Sequence, residues 1–233
     1  MTLGLRNQKI DKKSRNGSTP YKASKTTPLI GLVFKASPDT SLYYNYTAGL
    51  TAGGVAGPSY DNAGEVFAPQ KSNQHEVGLK HDWGSVMTQI ALYQIDKPTS
   101  ILENNYYSFG GVQRNRGIEL TAYDEIQQGL RFMASMRFIN AKLQRPANGL
   151  RQGNESEGVP ARTANIGLDW DMPWVPGLSL NGRVIYTSSM WYDAANKLRM
   201  PAWSRVDIGA RYTTKIAGKS VVFRANLENV ADK

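Results

Sequence analysis

Six consecutive stretches in the second half of this chain alternate apolar and polar residues with a period of two, each for about a dozen positions. The last is the clearest: Val221, Phe223, Ala225 and Leu227 share one parity, and Arg224, Asn226 and Glu228 the other. Successive side chains of a strand point to opposite faces, so this period predicts strands. Length adds a second signal. About 10 tilted residues cross a bilayer, whereas strands of globular proteins average about 5–6. The pattern predicts a membrane barrel, a class that hydropathy scans do not detect.

Extended over the whole chain, the same reading gives eleven strands, over 2–9, 27–36, 40–48, 70–81, 84–96, 106–123, 129–143, 159–171, 177–188, 202–214 and 219–230. No helical periodicity of useful length separates them. The connections alternate in length. Ser37-Pro38-Asp39, His81-Asp82-Trp83, Glu125 to Gln128, Pro173 to Gly177 and Lys215 to Lys219 are short, and most carry Asp, Pro or Gly for turns. The others, 10–26, 49–69, 97–105, 144–158 and 189–201, are longer and rich in Gly, Asn, Ser and Pro. Short turns on one rim and long loops on the other are the asymmetry of an outer-membrane barrel, with the short turns periplasmic.

Two faces follow from the alternation. One holds Ile118 and Leu120; Leu130, Phe132, Ala134, Met136 and Phe138; Ala164, Ile166, Leu168 and Trp170; Leu178, Leu180, Val184 and Tyr186; and Val206, Ile208, Ala210 and Tyr212. The other holds Glu119, Arg131, Arg137, Asn165, Asp169, Arg183, Arg205, Asp207 and Arg211 among others. No charge interrupts the apolar set. That separation is physically required, because a basic residue at mid-bilayer costs roughly 2–4 kcal/mol on the lipid face. The stretch 84–96 is ambiguous, since Ala91, Leu92, Tyr93 and Ile95 break the alternation, and the first three strands are less regular. Trp83, Tyr123, Trp170, Trp174 and Tyr212 lie toward the short turns, and Tyr93, Tyr106, Tyr186 and Trp203 toward the long loops. Tyr and Trp favour the headgroup level, so these are expected to form interfacial belts.

Composition changes this picture little. The chain is 40% hydrophobic, with mean hydropathy −0.46. It has no apolar run of about 18 residues for a spanning helix. There is no cysteine, so disulfides and thiolate metal sites are excluded. The formal charge is +9, from 28 basic against 19 acidic residues. The basic residues are scattered apart from a small cluster at Lys9, Lys12, Lys13 and Arg15. They are expected to solvate loops or a lumen, and no nucleic-acid motif accompanies them. A secreted barrel needs a leader, and Met1 leads directly into a strand-like stretch. We therefore expect a piece of a longer protein.

No catalytic constellation is present, and no metal site is expected. His75 and His81 flank a strand without convergent ligands. Gly218-Lys219-Ser220 has the end of a P-loop, but the glycine required five residues earlier is Thr213. Asn16, Asn45 and Asn154 sit in glycosylation sequons that carry no meaning in a bacterial outer membrane.

Several stretches, taken in order, resemble the barrel of TonB-dependent outer-membrane receptors of the ferric-siderophore group. They are Thr27-Pro28-Leu29-Ile30-Gly31-Leu32-Val33-Phe34-Lys35 with Ser41-Leu42-Tyr43, and Lys71-Ser72 with Glu76-Val77-Gly78-Leu79-Lys80. Arg116-Gly117-Ile118-Glu119-Leu120 follows, and Asn226-Leu227-Glu228-Asn229-Val230-Ala231-Asp232-Lys233 closes the series. The resemblance implies an all-β fold, an antiparallel transmembrane β-barrel of about 22 strands around a plug. The chain would hold about eleven of them as a single partial domain over 1–233, the C-terminal half of the barrel. The signal peptide, TonB box, plug, first barrel half and last strand would lie outside it.

The implied function is uptake of a ferric siderophore across the bacterial outer membrane, energised through the TonB complex, with no bond chemistry. The expected partners are outer-membrane lipid, TonB and the siderophore, and not nucleic acid. Arg131, Arg137, Arg183, Arg205, Arg211 and Arg224 would give the lumen wall a cationic bias that steers an anionic chelate or meets carboxylates of the plug. Tyr60, Phe67, Tyr107, Trp191 and Tyr192 on the long loops would stack on the ligand. Alternatives are a passive barrel (a porin, or a phage or adhesion surface), a TonB-dependent receptor for cobalamin or haem, and a soluble all-β binding module.

Overall fold

The computed structural model describes residues 1–12, 21–144 and 151–232. Eleven long strands form one antiparallel sheet in which each pairs with its neighbour along the chain. They are β1 (Thr2–Lys12), β2 (Tyr21–Lys35), β3 (Thr40–Thr51), β4 (Gln70–Asp82), β5 (Met87–Glu103), β6 (Tyr106–Gln127), β7 (Leu130–Leu143), β8 (Arg162–Asp171), β9 (Leu178–Thr187), β12 (Trp203–Ile216) and β13 (Lys219–Leu227). Two short strands, β10 (Met190–Trp191) and β11 (Arg199–Met200), make a separate hairpin within the last long connection. Sheet edges fall at β1 and β13. Lys13, Arg15 and Asn16 of the sequence reading lie outside the described residues.

Register makes the two faces continuous across the sheet. Ala134 pairs with Ile166, Ile166 with Val184, and Val184 with Val206. On the other parity, Arg131 pairs with Asp169, and Arg183 with Asp207. The apolar face has no cover: Leu168 and Ile208 are each 49% exposed and Phe223 is 54%. The few buried apolar residues, such as Tyr43, Ala91 and Tyr93, do not form a globular core. A water-soluble module would not leave so wide an apolar surface bare, whereas lipid covers it in a barrel.

Three elements differ from the sequence reading. The loop expected at 97–105 is a hairpin: β5 runs to Glu103, β6 starts at Tyr106, and Asn104 and Asn105 turn the chain with φ of 48° and 61°. Two left-handed residues give the turn that suits strand twist, and asparagine tolerates them. Pro98, which reads as a breaker, sits beside a register shift between Thr99 and Ile101. β6 is thus 22 residues long, well beyond the 9–11 or so that a crossing needs, and extends past the bilayer. Second, β2 begins at Tyr21, six residues before the expected start. Third, Tyr93 is not an interfacial anchor. Ile90 and Leu92 face lipid, while Ala91, Tyr93 and Ile95 face the lumen.

Glycines lie opposite Ala91 and Tyr93 and leave the lumen side room for them. Tyr43 pairs with Gly78 and its ring occupies the space a side chain would fill. Tyr93 lies over Gly117 in the same way. Both strands therefore show apolar residues on both parities, which erases the alternation. At the short-turn rim, Trp83 and Trp174 are each 67% exposed, and the Trp83 indole donates to Thr88 Oγ1 (3.0 Å). The Trp170 and Trp174 rings meet edge to face at 5.4 Å. These are belt positions.

The face assignment yields a direct expectation for the complete receptor carrying this chain. Ile166→Arg, on the lipid face, lowers folding stability by roughly 2–4 kcal/mol, and Asn165→Arg, on the lumen face, by less than about 1. Urea titration of refolding into lipid vesicles measures both, and equal losses would contradict the assignment.

Candidate functional site

The six predicted lumen arginines all lie on the polar face, and alternation places carboxylates within their reach. Arg131 contacts Asp169 at 2.5 Å and Asp171 at 2.9 Å. Arg211 reaches the same two residues at 3.4 and 3.5 Å and donates to Ser179 Oγ at 3.0 Å. Ser179 in turn donates to Asp171 Oδ1 at 2.6 Å. Arg183 and Arg205 converge on Asp207 at 2.7 and 2.9 Å, and Arg205 also approaches Glu228 at 3.8 Å. Arg137 pairs with Glu119 at 2.6 Å.

Asp207 is buried and also accepts from the Asn229 backbone N–H at 3.0 Å. Arg224 pairs in register with Arg211 and meets no carboxylate among the described residues. Five of the six predicted lumen arginines are therefore paired with carboxylates. Asp207 two residues from Arg205, and Asp169 two from Asp171, were visible as same-face neighbours; their cross-strand partners needed the register.

The five predicted loop aromatics divide among three settings. Tyr60 stacks on Tyr107 with centroids 5.5 Å apart. Phe67 packs edge-on against Tyr107 and against Phe109, which sequence reasoning missed. This cluster fastens the 52–69 loop onto the β5–β6 tip. Asn62 Nδ2 donates to the Tyr107 carbonyl (2.7 Å) while its Oδ1 accepts from the Tyr107 N–H (3.0 Å), imitating a strand pair. Asn105 Nδ2 donates to Asp61 (2.6 Å), and the Tyr106 hydroxyl donates to Glu65 (3.0 Å).

Trp191 belongs to a second cluster. Its indole donates to Glu155 Oε2 at 2.8 Å, and the Arg199 guanidinium lies over its ring at 5.3 Å. Asn196 binds both the N–H and the carbonyl of Glu155. Asp193 accepts from the backbone N–H groups of Leu198, Lys197 and Ala195, which hold its carboxyl below the usual range. Tyr192 projects freely, 67% exposed.

Between the upper β5 strand and the loop at 151–158 lies a cavity of about 650 Å³ at the exterior mouth. Lys97, Thr99, Gln113, Arg151 and Ser156 are among its walls, and none of the five predicted aromatics is. The Ser156 hydroxyl is buried and has no hydrogen-bond partner among the described residues. His75 and His81 stand apart from it. His81 Nδ1 meets Thr40 Oγ1 (2.8 Å) and His75 Nδ1 meets the Tyr44 hydroxyl (2.9 Å). Among the described residues, no three acidic or histidine side chains are placed to hold a metal ion.

Comparison with known proteins accounts for this arrangement. The model of the β-barrel of TonB-dependent receptor-like proteins matches residues 1–230. The ferrichrome receptor FcuA of Yersinia enterocolitica is 34% identical over all of this chain, which covers 32% of that protein. The ferrichrome outer-membrane transporter and phage receptor of Escherichia coli K12 is 28% identical over 97% of the chain and 32% of its own length. The crystal structure of BauA, the ferric preacinetobactin receptor of Acinetobacter baumannii, superposes with a TM-score of 0.84 at 36% identity. That match covers 99% of this chain and 36% of BauA. The chain thus spans about a third of the length of these three relatives. It belongs to the TonB-dependent receptor family and forms part of the β-barrel by which that family sits in the bacterial outer membrane.

Proposed function

We propose that this chain supplies part of the wall and exterior mouth of a receptor that imports a ferric siderophore, energised through TonB. In this reading residues 1–233 are the C-terminal half of the barrel, and the plug and the TonB contact belong to the rest of the receptor. The protein captures and passes its ligand and makes or breaks no bond. The exterior cavity carries the proposal, together with the two aromatic loop clusters and the 34% identity to a ferrichrome receptor over the whole chain.

The pairing of these arginines refines the ligand class. Arginines paired to carboxylates project little field beyond about a Debye length of 8–10 Å. Of the predicted steering groups only Arg224 meets no carboxylate among the described residues, and at the mouth Lys97 and Arg151 share the cavity wall with Glu157. Such a lumen favours a chelate without strong charge. A ferric ion held by three hydroxamates is neutral, and this class fits better than a polyanionic chelate. Tyr192, free of other packing, is the aromatic best placed to lie on it, whereas Tyr60, Phe67 and Tyr107 hold the 52–69 loop in place.

Two outcomes test the proposal in the complete receptor. Quenching of intrinsic fluorescence by ferrichrome gives a Kd that changes less than about twofold between 50 and 500 mM salt, as screening demands of a neutral ligand. Tyr192→Ala raises that Kd about tenfold, or about 1.4 kcal/mol, with little change in folding. No measurable binding of any ferric hydroxamate would overturn the reading, and a steep salt dependence would point to an anionic chelate. Separately, Asp207→Asn lowers the urea midpoint more than Arg183→Gln or Arg205→Gln does, because it leaves two guanidinium groups without their shared acceptor.

A further inference from the structure

The lumen face holds a further cavity, of about 500 Å³, midway along β8 and β9. Register builds it: Met133 pairs with Gly167, Gly167 with Arg183, and Arg183 with Asp207. In the adjacent row Asp169 pairs with Asn181, Asn181 with Gly209, and Gly209 with Asn226. Gly167 and Gly182 carry no side chain, so the floor between these rows is strand backbone. Met133 stands at the edge and is 60% exposed.

Each charge in this wall already has a partner. Arg131 is paired with Asp169, Arg183 with Asp207, and Glu228 approaches Arg205 at 3.8 Å. Arg224 lies two residues nearer the periplasm than Asn226 and is not part of the wall. The asparagines differ. The Asn181 and Asn226 side chains converge above Gly209, where a Cβ would collide with both. Neither makes a side-chain hydrogen bond among the described residues. Two carboxamides with open donors and acceptors, and one bare thioether, are therefore what the cavity offers an occupant.

We propose that this recess is a second ligand site, a station in the lumen wall where the imported chelate rests in transit. The inference rests on the import reading above and on the ligand class named there, an uncharged ferric complex of hydroxamate or amide groups. Asn181 and Asn226 donate to its carbonyl oxygens and accept from its amide N–H groups, while Met133 packs on its methylene arms. Three properties select this occupant. The volume is comparable with that of the exterior cavity, so one ligand suits both. The paired charges leave no strong field to attract an anion or a cation. Amide and thioether contacts are readily exchanged, and a transit site must hold its ligand loosely enough to release it.

The test uses the complete receptor in living cells, with the photo-crosslinker p-benzoylphenylalanine in place of Met133 and radiolabelled ferrichrome as the probe. Illumination during uptake gives a receptor–ferrichrome adduct about tenfold more abundant than in cells lacking TonB, while binding at the mouth is the same in both. Asn181→Ala with Asn226→Ala slows uptake about fivefold and leaves the Kd at the mouth within about twofold. Its urea midpoint matches the wild type, because no protein group depends on these amides. The electrophoretic shift between heated and unheated samples reports folding, and the adduct alone decides if the double variant does not fold. Normal uptake without an adduct, or an equal adduct without TonB, overturns the proposal and leaves the import reading standing. So does unchanged uptake in the folded double variant, or a lowered urea midpoint, which would assign the amides to an interior segment of the receptor. Absence of any ferric hydroxamate at the mouth of the wild type overturns the import reading and this proposal with it.

Discussion

Inside a bilayer no water reaches a backbone N–H or C=O, so every such group within the hydrocarbon must find a partner in the protein. Every other feature of this chain follows from that requirement. It forces long strands joined to their immediate neighbours, and the sheet order follows chain order without a crossover. Once the ladder is set, register decides which side chains meet. Ile166 lies between Ala134 and Val184 because the backbone bonds leave no other arrangement, and the same ladder brings Asp207 beside Arg183. A slip of one residue would send both sets to the wrong solvent.

The lumen face shows how polar side chains respond to confinement. Arg131, Arg211, Asp169, Asp171 and Ser179 form one network, and Arg183, Arg205, Asp207 and Glu228 another. Each joins two cations to two anions. Partly exposed pairs of this kind add modest stability individually. Their larger effect is on the field, because arginines balanced within a few ångströms do not act as a cationic funnel. The loops above it have a separate logic: Asn62 and Asp193 use side-chain oxygens and amides to satisfy backbone groups that no strand partner reaches.

The strands from β6 onward were legible in the sequence because one face meets lipid and the other water. β13 reads plainly through Val221, Phe223, Ala225 and Leu227. β5 did not read plainly, because Ala91 and Tyr93 are apolar on the lumen side. They are tolerated there only because Gly78 and Gly117 open space across the strand boundary. That information sits in other parts of the chain and becomes visible only with the register. The β5–β6 hairpin was missed because Pro98 and the paired asparagines look like loop residues, although Asn104 and Asn105 are what a tight two-residue turn requires. At the mouth, the aromatics could be placed on the exterior, but that Tyr60 stacks on Tyr107 depends on how two distant segments meet. The cavity wall itself, with Lys97 and Ser156, gave no sequence signal.

Register decides which arginines find a carboxylate. Five arginines and five carboxylates neutralise one another on the polar face, at Glu119, Asp169, Asp171, Asp207 and Glu228, and Arg114 pairs with Asp96 on the opposite parity. The formal excess of nine positive charges therefore lies outside these pairs. Arg116 and Arg162 are part of that excess, on the parity of Ile118 and Phe138. Six arginines of one parity suggested a cationic lumen. Strand parity and register place part of the positive charge on the outside of the barrel as well.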